Sequence, residues 1–116
     1  MIAVIFEVIP NENGKAEYLT IAAQLSKQLS NIPGFISIER FQSLADPNKL
    51  LSLSFWQDEA SIAQWRNLED HRMAQTRGRD SLFEDYRIRV GGITRDYSLS
   101  TREQVPDDSK VAHHNN

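Results

Sequence analysis

An α+β fold is predicted by three observations. Alternating apolar stretches at residues 2–9, 35–42, 50–56 and 86–90 have the two-residue period of strands. Segments with helical spacing follow the first and third of these stretches. The second and third are joined by Ala45-Asp46-Pro47-Asn48, a turn short enough for an antiparallel hairpin. The order strand, helix, strand, strand, helix, strand is the split βαβ pattern of a ferredoxin-like fold, a four-stranded antiparallel sheet with helices on one face. The other face then carries too much apolar surface for water. Closing two such sheets on each other buries it and removes open edges, so a homodimeric α+β barrel is expected.

Each element has its own warrant. Residues 2–9 place Ile2, Val4, Phe6 and Val8 on one face and Ala3, Ile5, Glu7 and Ile9 on the other. Both sets are apolar except Glu7, so the strand is expected to be covered on both sides. A carboxylate there needs a partner, water or a pocket. Either it pairs with an arginine or sits near the sheet end, or it lines a cavity where burial raises its pKa. A helix is expected from about Lys15 to Ser30, with Tyr18, Ala22, Leu25 and Leu29 in one stripe, stopped by Asn31-Ile32-Pro33-Gly34. Residues 35–42 alternate Phe35, Ser37, Glu39 and Phe41 against Ile36, Ile38, Arg40 and Gln42. Residues 50–56 set Leu51, Leu53 and Phe55 opposite Ser52, Ser54 and Trp56.

Asp58 is an N-cap for a helix holding Ala60, Ile62, Ala63 and Trp65. Asn67-Leu68-Glu69-Asp70 reads as a helical restart, giving a broken helix whose second part carries His71, Gln75 and Gly78. The last strand sets Tyr86, Ile88 and Val90 against Arg87 and Arg89, and Gly91-Gly92 suggests a bulge. Residues 1–97 form the expected domain. Residues 98–116 are polar and read as a mobile tail or an arm on a partner subunit.

Composition narrows the function. The 116 residues suit one domain, and the absence of Cys excludes disulfides, Cys-ligated metal centres and thiol catalysis. A reducing, cytoplasmic setting fits. Net charge is -3 with no Lys/Arg block, so no nucleic-acid partner is expected. The apolar start lacks a basic leader and is too short for a span, so no membrane association is expected. No phosphate-cradling Gly loop and no His/carboxylate metal set are visible, so no metal site and no resident redox cofactor are expected.

Residues 55–97 hold both Trp, one of the three His and two of the three Tyr, and read as one wall and lid of a pocket. Trp65 offers a flat apolar surface and one N–H donor, suited either to core packing or to flanking an aromatic substrate. His71 is the general acid/base candidate because its ordinary pKa lies near neutrality. In the first turn of its helix segment the dipole would disfavour the imidazolium. Glu7 is the second acid/base candidate. Gln75, Arg72, Phe83 and Trp56 are the candidate substrate contacts, with packing as the competing role for Trp56 and solvent exposure for Arg72.

Several of these residues carry a resemblance: Pro33-Gly34-Phe35, Ser54-Phe55-Trp56, Asp58-Glu59, Trp65, and the run from His71-Arg72 through Gly78-Arg79 into Tyr86-Arg87-Ile88-Arg89-Val90. Over residues 1–97 the chain resembles the antibiotic biosynthesis monooxygenase family of dimeric α+β barrels. That family includes quinone- and anthrone-oxidising enzymes and haem-degrading enzymes. The haem-degrading branch uses an Asn, a Trp and a His. Trp65 matches the Trp, Glu7 stands at the Asn position, and the ligand His falls near Ala74-Gln75, one turn beyond His71.

The resemblance implies a cofactor-independent monooxygenase acting on an aromatic, phenolic or quinol-like small molecule. His71 or Glu7 would remove a proton, and the resulting carbanion would react with dioxygen in a water-excluding pocket. Two alternatives stand beside it. One is a haem-binding or haem-degrading protein with His71 as axial ligand. The other is a non-enzymatic small-molecule-binding or structural dimer whose own side chains fill the cavity.

Overall fold

The computed structural model describes residues 1–75 and 82–109; for residues 70–75 it describes the backbone alone. The elements are β1 (Ile2–Pro10), α1 (Lys15–Leu29), β2 (Phe35–Gln42), β3 (Leu50–Trp56), α2 (Glu59–Gln75) and β4 (Phe83–Gly92). The strands form one sheet in the order β2-β3-β1-β4, and each neighbouring pair is antiparallel. This is the expected ferredoxin-like α+β fold. Among the described residues no helix is long and apolar enough to cross a membrane.

The period-two register decides what faces the helices. Val4 pairs with Ser54 and with Val90, and Phe6 with Ser52 and with Ile88. Arg40 pairs with Ser52, and Ile38 with Ser54. These residues share the face under α1 and α2. On α1, Tyr18, Ile21, Ala22, Leu25 and Leu29 are buried against it, which adds Ile21 to the expected stripe. Val8, Trp56, Ile62, Trp65, Leu82 and Phe83 complete the core. The opposite face carries Ile5, Glu7, Leu51, Leu53 and Phe55, with no element laid over it among the described residues.

Two glycines are required by close approach. Gly34 has φ +90, and a Cβ there would strike Ser61, whose hydroxyl hydrogen-bonds the Pro33 carbonyl. This contact fastens the start of α2 to the loop before β2. Gly14 sits against the Leu82 backbone, whose carbonyl accepts from the Asn11 N–H at 2.9 Å. Asp58 caps α2 as expected, accepting the Ser61 N–H at 2.9 Å.

The structure corrects three local expectations and adds contacts within the C-terminal segment. α2 is one continuous helix through Asn67, not two segments. Asn67 is tolerated within a helix anchored at Asp58 and by the burial of Ile62 and Trp65, so its capping preference is overridden by packing. β4 stays in register through Gly91 and Gly92, which pair with Ala3 and Ile2. The irregularity falls at Ile9/Pro10, where proline cannot donate to the ladder. A second shift between Phe35 and Ser37 breaks the strict alternation of β2. It brings Phe35 onto the core side beside Ile38 and Arg40, and leaves Ile36 exposed. Finally, the segment after Leu99 is structured as far as residue 109. The Gln104 side chain accepts the Asp96 N–H at 2.6 Å, Arg102 lies over the Tyr97 ring at 5.6 Å, and Val105 is buried.

Candidate functional site

A cavity of about 90 Å³ lies between the covered face of the sheet and the two helices. Trp65 and Ile62 of α2 form part of its roof, and Tyr18, Ile21, Ala22 and Leu25 of α1 form another. Its floor is Val4 and Phe6 of β1, Ser52 and Ser54 of β3, and Ile88 and Val90 of β4, with Arg40 of β2 at one side. Arg66 and Glu69 of α2 complete the described lining. The cavity exists because the inward positions of β3 hold two serines. Their short side chains leave room that leucines would fill.

Trp65 is buried, and its indole stacks on Trp56 with centroids 6.4 Å apart and planes 30° apart. Trp56 is fully buried behind it and packs edge-on against Phe35 at 5.3 Å. Its Nε1–H donates to Ser54 Oγ at 2.8 Å. Trp56 therefore supports Trp65 and Ser54 from behind and does not line the cavity, the packing role read beside its candidate substrate contact. Phe83 is likewise a core ring. It meets Tyr18 at 5.2 Å, Phe6 at 6.0 Å and Tyr86 at 5.9 Å, and is absent from the cavity wall.

Glu7 does not join this site. It points to the opposite face, where Lys49 lies 3.4 Å and Arg89 3.3 Å from its carboxylate. The hydrogen bond from Lys49, opposed by partial desolvation and aided by the charges of Lys49 and Arg89, holds its pKa below the ordinary glutamate value. Glu7 lines a separate cleft on that open face with Lys49, Arg87 and Arg89, and its pKa is lowered by ion pairing where burial was expected to raise it. The other alternative, a pair with an arginine, describes it.

His71, Arg72 and Gln75 lie on the backbone of α2, but their side chains fall outside the described residues. Gly78 and Arg79 lie outside them altogether. The continuity of α2 moves His71 from the first turn of a helix to the far half of one. The dipole argument for a neutral imidazole loses its basis there.

Sequence reasoning missed Tyr18 and Arg40 as site residues. Tyr18 read as one member of an apolar stripe. Its hydroxyl lies near the Arg40 guanidinium, and burial pushes its pKa up, outweighing the lowering effect of that guanidinium. Arg40 Nη1 donates to Ser26 Oγ at 3.3 Å, and the Ser26 hydroxyl donates to the Ala22 carbonyl at 2.8 Å. Arg40 Nε is buried and meets no acceptor among the described residues. The available signal was parity: Arg40 is two residues from the inward Ile38. The described lining residues include no His, Met or Cys, and the side chain of His71, the proposed axial ligand, falls outside the described residues, so no step is routed through haem.

The fold and cavity define an α+β protein with a cavity under one face of its sheet. The chain matches the antibiotic biosynthesis monooxygenase family over residues 1–77 and belongs to it. A Pyricularia oryzae protein named jasmonate monooxygenase ABM is 51% identical over 94 residues, covering 81% of this chain and 44% of that protein. The chain thus spans less than half the length of that relative. Bacillus subtilis YqjZ, an uncharacterised protein, is 30% identical over 93 residues, covering 80% of this chain and 79% of its own. Among solved structures, Rv0793 from Mycobacterium tuberculosis superposes with a TM-score of 0.70 at 13% identity, covering 84% of this chain and 98% of that one. A Methanosarcina mazei protein gives 0.65 at 20% identity, covering 77% and 88%. At these identities the two structures support the fold.

Proposed function

We propose that the chain is a monooxygenase that oxidises a small, largely apolar molecule in the cavity beneath Trp65, using electrons from the substrate and no resident cofactor. The observation that carries this reading is the cavity itself, walled by an indole and hydrocarbon side chains and polar at one side. Family membership and the 51% identical relative named for monooxygenation support it. A cavity left open by Ser52 and Ser54 also counts against a purely structural role in which the chain's own side chains fill the space.

The substrate is an aromatic, phenolic or quinol-like molecule, or another whose C–H or O–H proton is acidified by a neighbouring carbonyl. The relative's name makes jasmonate a member of the test panel. Proton removal leaves a carbanion that passes one electron to dioxygen. Recombination gives a hydroperoxide, and loss of water leaves a carbonyl, so one oxygen atom enters the product and the other leaves as water. His71 is the proposed proton acceptor. Trp65 flanks the substrate, and the apolar walls displace water around it. The chain acts as a homodimer whose contact is the open sheet face with Ile5, Leu51, Leu53 and Phe55.

Oxygen-electrode assays with phenols, quinols and jasmonate test the reading. Uptake above the protein-free rate, lost in His71→Ala and Trp65→Ala, is expected. No uptake with any of them would remove the oxygenase reading.

A further inference from the structure

We infer that the cavity takes a small amphiphilic carboxylic acid as its anion, with Arg40 as the residue that reads the carboxylate. The fate of that ligand rests on the oxygenase reading, but its binding does not.

The cavity is polarised along the sheet. On the β2–β3 side, Arg40 and Ser52 are register partners on the inward face, and the Tyr18 hydroxyl lies near the Arg40 guanidinium. On the β1–β4 side the floor is Val4, Phe6, Ile88 and Val90, which offer no polar side chain. A ligand that satisfies both sides has one polar head and an apolar body.

The charge of the head follows from the guanidinium. Arginine presents its donors as a rigid fork and has no acceptor. One arm, Nη1, is committed to Ser26 at 3.3 Å. The Nε–H is buried with no acceptor among the described residues. That nitrogen is closed to water, so a ligand would meet the guanidinium through its terminal nitrogens, and a carboxylate is the planar, doubly accepting partner that fits them. Among the described residues, the charges facing the cavity are Arg40 from β2 and Arg66 and Glu69 from α2. Two cations and one carboxylate favour one added negative charge. Burial keeps Tyr18 protonated well past neutrality, so it adds a donor and no competing charge.

Titration of the full chain with hexanoate, phenylacetate and their methyl esters, followed by calorimetry and by Trp fluorescence, tests this. Saturable binding of the acids is expected, with the esters weaker by about tenfold or more. Arg40→Met keeps the side chain's length and should erase the acid-over-ester preference while leaving ester binding in place, which also reports that the variant is folded. Arg40→Lys should restore only part of the preference, because a point charge lacks the fork. Equal affinity for acids and esters, a preference that persists in Arg40→Met, or no saturable acid binding would overturn the inference. The wild-type comparison decides alone if the variants do not fold. Acid binding without oxygen uptake removes the oxygenase reading and leaves this one. Uptake with a neutral phenol, unchanged in Arg40→Met and without acid binding, does the reverse.

Discussion

The two faces of the sheet use the same side-chain types to opposite ends. On the open face Glu7 meets Lys49 and Arg89 at 3.4 and 3.3 Å, and the charges are matched within reach of water. On the covered face Arg40 is held beside Tyr18 and Ser26, with a buried nitrogen that meets no acceptor among the described residues. One sheet thus carries a satisfied ion pair on one side and an unsatisfied donor on the other. The contrast teaches that local charge alone does not mark a site. What counts is a polar group whose surroundings leave its hydrogen bonding incomplete.

Mutations on the two faces should therefore separate. The largest effect is expected from Trp65→Ala. It removes a buried ring stacked on Trp56 and should cost ~3–5 kcal/mol in chemical denaturation, with loss of oxygen uptake. Near-native stability in that variant would mean that the roof is not packed as described. Next is Leu53→Glu, on the open face. It should convert a dimer to a monomer by light scattering while leaving the cavity's ligand affinity intact. A wild-type chain that is monomeric at assay concentrations would sink that proposal.

Tyr18→Phe keeps the ring and removes the hydroxyl beside Arg40. A loss of about 1 kcal/mol is expected, because the Arg40 guanidinium loses a polar neighbour. The wild type should also lose stability relative to Tyr18→Phe as pH rises above the ordinary tyrosine value. The unfolded chain ionises there before the folded one, so the raised folded pKa favours unfolding. Parallel denaturation curves across neutral and alkaline pH check both points.

The smallest effect belongs to Glu7→Gln. Its folded pKa is depressed, so its stabilisation is present above the ordinary glutamate value and lost as pH falls through the lowered one. Wild type and Glu7→Gln should therefore differ in melting temperature at neutral pH and converge in acid. Oxygen uptake should be unchanged at neutral pH. A strong loss of turnover in Glu7→Gln would rejoin the two faces and require a site shared across them. A hemin titration tests the competing haem reading: a saturable Soret shift lost in His71→Ala would replace the cofactor-free proposal, and its absence would leave that proposal standing.

Much of this was readable in advance. The two-residue period of the four apolar stretches and the stripe from Tyr18 to Leu29 specify the elements and their order. The capping Asp58 and the stop at Pro33-Gly34 add local punctuation. These signals are local: each arises from backbone sterics and from the spacing of side chains along one element. Trp65 was legible as a pocket candidate because a large aromatic side chain within a helical pattern narrows its options. Trp56 and Phe83 were not separable from it, since an aromatic that lines a cavity and one that packs behind it look alike in one dimension.

By itself, then, the sequence determined the class of fold, the order of its elements and the residues able to carry chemistry. Only the tertiary structure decided which face of each strand the helices cover. In β3 polarity pointed the wrong way, since Ser52 and Ser54 face the cavity while Leu51 and Leu53 face outward. The reason is that a strand's two faces are set by its pairing register and by which side the crossover helices occupy. A shift of one residue exchanges them. That choice put Glu7 with Lys49 and Arg89, and Arg40 with Tyr18, and no property of any one segment contains it.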